Sequence, residues 1–241
     1  MERTLYTNNK IVESLCQFTF KPVQDNTIYG QFWDVLKKEN IYSEKENISA
    51  LNFSLVANDP DIKPSLVNAM KYSNSNKDKI IQLHNNNFSI HQVKKYDKWE
   101  SFKKDIDSAF NNFISVSTET VIDRIDLRAI NVFDFPLEDF KLDEYFNLSV
   151  NYPIGLNNVN SNVTLEFSLG KENCFVVLRL KCSKQSTKIN VVLDLSFVNI
   201  EANIKSSDKD AVDTVLEYGH IELYNMFSSV IKDKRIVELI K

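Results

Sequence analysis

The sequence predicts an α+β protein of two similar halves, each ordered strand, short helix, antiparallel strands, long helix. Three observations lead to this fold class. Several segments alternate apolar and polar residues with period two, which is typical of half-buried strands. Two longer segments repeat apolar residues every three or four positions, which is typical of amphipathic helices. The order of elements in residues 1–117 recurs in residues 118–241, so we predict one α+β half in each range.

The first predicted strand is "IVESLCQFTF", which ends before Pro22. Its inward side carries Val12, Ser14, Cys16, Phe18 and Phe20. A short helix follows, because Ile28, Phe32 and Leu36 have helical spacing. Two more strands are predicted at "SALNFSLVA" and "LVNAMKYS".

A hairpin and a long helix complete the predicted first half. The hairpin is "IIQLHNNNFSIHQ", since three consecutive asparagines favour a tight turn. Alternation places Ile81, Leu83, Phe88 and Ile90 on one face, and Gln82, His84, Ser89 and His91 on the other. The helix spans 97–116, and its apolar stripe consists of Trp99, Phe102, Ile106, Phe110 and Phe113.

The second half repeats this order from residue 121. "VIDRIDLRAINVFDF" is a long strand, "LEDFKLDEYF" a short helix, and "FNLSVN" a candidate strand. Three alternating strands follow, "NVTLEFSL", "CFVVLRLKC" and "INVVLDLSFVNI", and a helix runs over about 207–232. The order resembles the two-lobed TATA-binding-protein topology and, more loosely, the helix-grip folds. Such a resemblance of fold order carries no function.

Composition excludes several classes of function. Four glycines in 241 residues are too few to favour Gly-rich phosphate loops, and we expect no cofactor. The net charge of −4 and the pI near 5.5 disfavour nucleic-acid binding. Three cysteines without CxxC spacing predict reduced thiols and a cytoplasmic location. No export signal or apolar stretch long enough to span a membrane is evident.

The three histidines do not predict a metal site. His84 and His91 share a predicted sheet face, but no Cys, Asp or Glu lies nearby in the hairpin to complete three or four ligands. His220 belongs to "HIE", which lacks the downstream P-C-x-x-C of zinc deaminases. We therefore expect no metal, a polar face at His84 and His91, and a packing role for His220.

The segment "RIDLR" places three ionised side chains on one face of a long strand. Arg124, Asp126 and Arg128 alternate with Ile125 and Leu127. Buried charges are costly unless they are paired or hydrated. One interpretation is an ion-pair ladder facing water; the other is a binding surface for an anionic partner, using guanidinium groups. Our candidate contact residues are Arg124, Arg128, Asn131, Gln82, His84 and His91.

Several short motifs resemble an uncharacterised, sporadically distributed bacterial family of about 250 residues. The motifs are the I-V-E start at Ile11–Glu13, the I-Q-L hairpin at Ile81–Leu83, Tyr96 with Trp99, Arg128 with Asn131, and His220 with Phe227. Lys10 stands where the family usually has proline. The resemblance implies no activity and no catalytic residues. The family's patchy distribution implies an accessory role, as in toxin–antitoxin or phage-defence modules.

These observations favour a non-catalytic binding or adaptor protein over an enzyme. The leading hypothesis is that a polar sheet face docks a protein partner, encoded nearby. Charge reversal at Arg128 would then abolish complex formation and hardly change the melting temperature. The alternative is a sensor that binds a small anionic or nucleotide-like ligand between the halves. A hydrolase without linear motifs is the third hypothesis, and homo-oligomerisation stays open.

Overall fold

The computed structural model of the chain describes residues 10–52, 65–94, 96–117, 119–138, 140–148 and 160–232. These ranges contain nine strands and four α-helices. The strands are β1 Ile11–Lys21, β2 Glu44–Asn52, β3 Ser65–Ser73, β4 Lys79–Leu83, β5 Asn87–Val93, β6 Val121–Pro136, β7 Asn160–Ser168, β8 Cys174–Lys184 and β9 Lys188–Lys205. The helices are α1 Ile28–Leu36, α2 Trp99–Val116, α3 Leu142–Tyr145 and α4 Lys209–Val230.

All nine strands form one antiparallel sheet in the order β2-β3-β4-β5-β1-β6-β9-β8-β7. The predicted fold of two α+β halves, each with its own sheet, is therefore wrong. The halves join because β1 pairs with β6, from Ile11 opposite Asn131 to Lys21 opposite Val121. Alternation in the sequence shows which face each strand buries, but it does not show which strand edges pair. The domain boundary after residue 117 stays a prediction.

The helices pack on one face of this sheet, which we call the helix-covered face. The predicted stripe of α2 is confirmed, since all five of its apolar residues are buried. Phe110 stacks on Phe18 of β1, and Phe113 stacks on Phe88 of β5, with ring centroids 4.6 and 5.1 Å apart. Burying one such side chain contributes roughly 1.5–3 kcal/mol to stability. The pairing of aromatic rings therefore anchors α2 over β1 and β5.

Helix α4 packs on the same face and approaches the sheet closely. The Asp208 side chain caps its start by accepting a hydrogen bond from the backbone N–H of Ala211, at 3.1 Å. Gly219 lies against the ring of Phe197 in β9, and a Cβ at this position would be 2.5 Å from the ring. Glycine allows this close approach, because any side chain here would force the Phe197 ring or the helix to shift.

Some predicted elements differ in extent from those observed. The strand predicted over 49–57 is β2, which spans Glu44–Asn52; residues 53–57 lie outside the described residues. In "FNLSVN", Phe146 makes one isolated β-bridge, to Ile231, and the end of the segment lies outside the described residues. Cys16 and Cys174 are buried, Cys182 is half-buried, and all three are free. Among the described residues, no helix is long and apolar enough to cross a membrane.

Candidate functional site

The face of the sheet opposite the helices carries a band of charged side chains over its central strands. We call this surface the polar face; its residues include Glu13, Leu15, Gln17, Ser89, His91, Arg124, Asp126, Arg128, Arg179, Asp194 and Ser196. Each of these residues lies either directly opposite another of them on a neighbouring strand or two positions from another on its own strand. Residues related in these ways point to the same face of a sheet. The described helices bury their apolar side chains in clusters on the other face.

Asp194 is the centre of the largest charged cluster on the polar face. Arg128 binds it with two hydrogen bonds, from Nε to Oδ1 at 2.8 Å and from Nη2 to Oδ2 at 2.7 Å. Nη1 of Arg179 lies 3.6 Å from Oδ2 of Asp194 and donates to the Ser196 hydroxyl at 3.2 Å. The side chain of Asp194 is 8% exposed, whereas that of Arg128 is 41% exposed. The carboxylate thus lies at the base, beneath two guanidinium groups.

Arg124 repeats this arrangement within one strand. It makes two hydrogen bonds to Asp126, each 2.7 Å long, and is much more exposed than that carboxylate. Hydrogen bonding to Asp126 raises the pKa of Arg124, as hydrogen bonding to Asp194 raises the pKa of Arg128. A guanidinium has five N–H donors, so three on Arg124 and three on Arg128 are not used by these pairs. The ion-paired and partner-binding interpretations are therefore compatible.

A second polar cluster connects β1 with β5. Nδ1 of His91 donates to Oε1 of Glu13 at 2.8 Å, and Nε2 lies 3.0 Å from the Ser89 hydroxyl. Hydrogen bonding to His91 lowers the pKa of Glu13. A Ser–His–carboxylate order is that of hydrolytic triads. Ser89, however, is buried in mid-strand between Gln17 and Gln82 on the neighbouring strands, which argues against attack on a substrate.

The predicted contact residues of the hairpin are spread out. Gln82 is opposite Ser89, whereas Ile80 is opposite His91. His84 is therefore four residues, about 13 Å, beyond the position facing His91. Burial lowers the pKa of His84. The register thus keeps the two imidazoles apart, and no group of three or more potential metal ligands occurs in the described ranges.

Asn131 lies on the helix-covered face, opposite Arg124 and Arg128. Asn131 is three residues from Arg128, and residues three apart on a strand point to opposite faces of the sheet. Asn131 borders a cleft of about 210 Å³ between α2, α4 and the central strands, which we call the central cleft. Some of the residues that carry the family resemblance border this cleft, namely Ile11, Tyr96, Trp99, Arg128, Asn131, His220 and Phe227, whereas Val12, Glu13 and the Ile81–Leu83 hairpin strand do not.

Aromatic side chains from both long helices form one wall of the central cleft. The rings of Trp99 and His220 are parallel within 6°, with centroids 4.4 Å apart. The indole N–H of Trp99 donates to Oε1 of Glu217 at 2.9 Å. His220 thus packs against an aromatic ring, and these contacts fix the Trp99 ring at the cleft.

The sequence reasoning missed two residues of the central cleft and the central role of Asp194. Ser14 and Ala129 face each other at the floor of the cleft. Ser14 was the only polar side chain in the inward row of β1, which was the available signal for a polar cavity. Asp194 and Arg179 were visible only as outward polar residues, because their pairing depends on the register between β8 and β9.

Comparison of the sequence with protein-family models and with curated proteins gives no match. The family resemblance therefore stays a prediction, and the function has to be inferred from the geometry.

Proposed function

We propose that the chain is a non-catalytic, cytoplasmic binding protein that docks an acidic segment of a protein partner on the polar face. The observation that carries this proposal is the layering of charge around Asp194. Two arginines stand above one buried carboxylate, and Arg124 stands above Asp126 in the same way. The three guanidinium groups are therefore the most exposed charges of the central band, ahead of the Glu13 carboxylate, although the whole chain is acidic.

The unused donors make the guanidinium layer suitable for carboxylates. Arginine donors match a carboxylate with two parallel hydrogen bonds, and the buried aspartates already hold each guanidinium in a fixed position. Preorganised side chains lose less conformational entropy on binding than free ones. Arg124, Arg128 and Arg179 thus favour an acidic peptide segment over a neutral one.

The surroundings of the arginines favour a protein over a nucleic acid. Half-buried Leu15, Ile130 and Val132 lie on the same face as Arg128. Apolar side chains mixed with arginine are typical of protein interfaces. Nucleic-acid binding depends on net phosphate neutralisation, which a chain of charge −4 opposes. The expectation that the partner is encoded nearby, as in a toxin–antitoxin or defence module, rests on the family resemblance.

Arg179→Gln is the variant that separates docking from folding. Asp194 keeps its two hydrogen bonds from Arg128 in this variant, so we expect little loss of stability. Lys38→Gln is the matched control, since it removes the same charge from an exposed position near α1. Each variant and the wild type are tagged, expressed in the native host, recovered with nuclease present, and examined by native mass spectrometry.

We expect wild type and Lys38→Gln each to recover one partner protein in a stoichiometric amount. Arg179→Gln should recover at least tenfold less of this partner. A synthetic peptide of the partner's most acidic segment should then bind wild type in a salt-dependent manner. Equal recovery with Arg179→Gln, or a partner that nuclease releases, would contradict the proposal.

A further inference from the structure

The central cleft exists because two small residues face each other on the floor of the sheet. Ser14 of β1 is opposite Ala129 of β6, whereas the next pair along these strands is Cys16 with Leu127. Side chains elsewhere on the helix-covered face are mostly aromatic or branched. Small residues at this pair leave the space that α2 and α4 span but do not fill.

Two polar residues that are largely buried line this space. Ser14 and Asn131 are each 3% exposed. Among the described residues, the Ser14 hydroxyl makes no hydrogen bond, and Asn131 makes one long bond, from Nδ2 to the Leu193 carbonyl at 3.4 Å. Neither group belongs to the fully enclosed side-chain atoms that lack a partner, so both open onto the cleft, where a ligand's polar group can replace water. A polar occupant of the central cleft would satisfy both groups.

The rest of the inner lining is apolar or aromatic, and the charged residues at its rim are balanced in sign. Leu195, Leu223 and the Trp99 ring border the space. The charged residues of the lining are Lys10, Asp97, Lys98 and Glu100 at the rim, two of each sign, and Arg128, whose guanidinium is bound to Asp194 on the polar face. An apolar pocket with a few convergent polar groups is typical of small-molecule sites. The charge balance favours an uncharged ligand.

The volume limits the size of the ligand. A cavity of roughly 150 Å³ holds one benzene molecule. The central cleft, at about 210 Å³, has room for one ring with small substituents. A nucleotide is far larger and would extend beyond this volume, so the volume favours a compact ligand.

We propose that the central cleft binds a compact, uncharged aromatic molecule whose polar substituent hydrogen-bonds to Ser14 and Asn131. This site is independent of the polar face, because it lies on the opposite side of the sheet. The ligand's ring would lie among the apolar side chains near Trp99, and its polar group would point toward β1 and β6.

Tryptophan fluorescence provides a direct assay. The chain has two tryptophans, Trp33 and Trp99, so Trp33→Phe leaves Trp99 as the sole indole. Phenol and benzamide are titrated into this background with excitation at 295 nm, and benzoate and adenosine monophosphate serve as charged contrasts. We expect saturable changes with phenol or benzamide, and at least tenfold weaker binding of the charged molecules.

Three variants assign the binding to the cleft. Ala129→Ile fills the floor and should weaken binding at least tenfold, whereas Ala129→Ser preserves the volume and should bind like its parent. Ser14→Ala removes one neutral hydrogen bond and should weaken binding about 3- to 10-fold. If Ala129→Ile fails to fold, the titration of Ser14→Ala still tests the proposal. Non-saturable titrations, equal affinity in Ser14→Ala, or tighter binding of a charged molecule would overturn the proposal.

Discussion

Replacing Arg128 tests the charge layer on which the proposed docking surface depends. Arg128→Gln keeps much of the side-chain length but removes the charge and both hydrogen bonds to Asp194. The sequence alone led us to expect a melting temperature that hardly changes at this position. The observed pairing leads to a different expectation, because within the described part of the chain Asp194 would keep only the 3.6 Å contact with Arg179.

The expected cost follows from the burial of Asp194. Removing one partner of a buried ion pair costs about 3–5 kcal/mol, whereas exposed pairs are worth about 0–1 kcal/mol. Asp194 is 8% exposed and Arg128 is 41% exposed, so the pair lies between these limits. We expect Arg128→Gln to lower the free energy of unfolding by about 2 kcal/mol. For a chain of this size, that corresponds to about 4–8 °C in Tm.

A double-mutant cycle with Asp194→Asn isolates the pair. Urea unfolding followed by circular dichroism gives the four free energies. Removing both charges should cost at least about 1 kcal/mol less than the sum of the single changes, because no unpaired charge then remains buried. Additive effects, or a change below about 0.5 kcal/mol for Arg128→Gln, would refute the reasoning. Arg128 would then be a solvated surface residue.

Two further predictions concern packing and pH. Gly219→Ala should lower the free energy of unfolding by about 1–2 kcal/mol, because the added Cβ overlaps the Phe197 ring. Gly30→Ala in α1 should raise the free energy of unfolding by up to about 1 kcal/mol, because its added Cβ has no atom within 4 Å and alanine favours the helix. Urea denaturation checks both, and a stabilised Gly219→Ala would contradict the close approach of α4. The depressed pKa of Glu13 stabilises the fold above the carboxyl's ordinary value of 4.5, and this stability is lost as the pH falls through the folded pKa. Glu13→Gln should therefore flatten the dependence of stability on pH below 4.5, and an unchanged slope would show that the Glu13–His91 contact is not formed in solution.

The local elements could be predicted from the sequence because alternation and helical stripes depend on neighbouring residues only. Both faces of the β4–β5 hairpin and the buried stripe of α2 follow from such patterns. The single sheet could not be predicted, because the β1–β6 pairing joins residues about a hundred positions apart. Three features of the candidate site were visible in the sequence, although we did not use them. The odd separation of Asn131 from Arg128 showed that they lie on different faces, and Ser14 and Ala129 were small residues in inward rows.

The pairing of β1 with β6 also bears on how the chain acquires its structure during synthesis. Lys21 can pair with Val121 only after a further hundred residues have been synthesised. Their synthesis takes on the order of 5–20 s at the usual rate of translation. During that interval β1 can pair with β5, but its other edge is exposed to solvent. Unpaired strand edges promote aggregation, and contacts between distant residues slow folding. The nascent chain is therefore most vulnerable before β6 emerges, and a chaperone that shields strand edges would act at this stage.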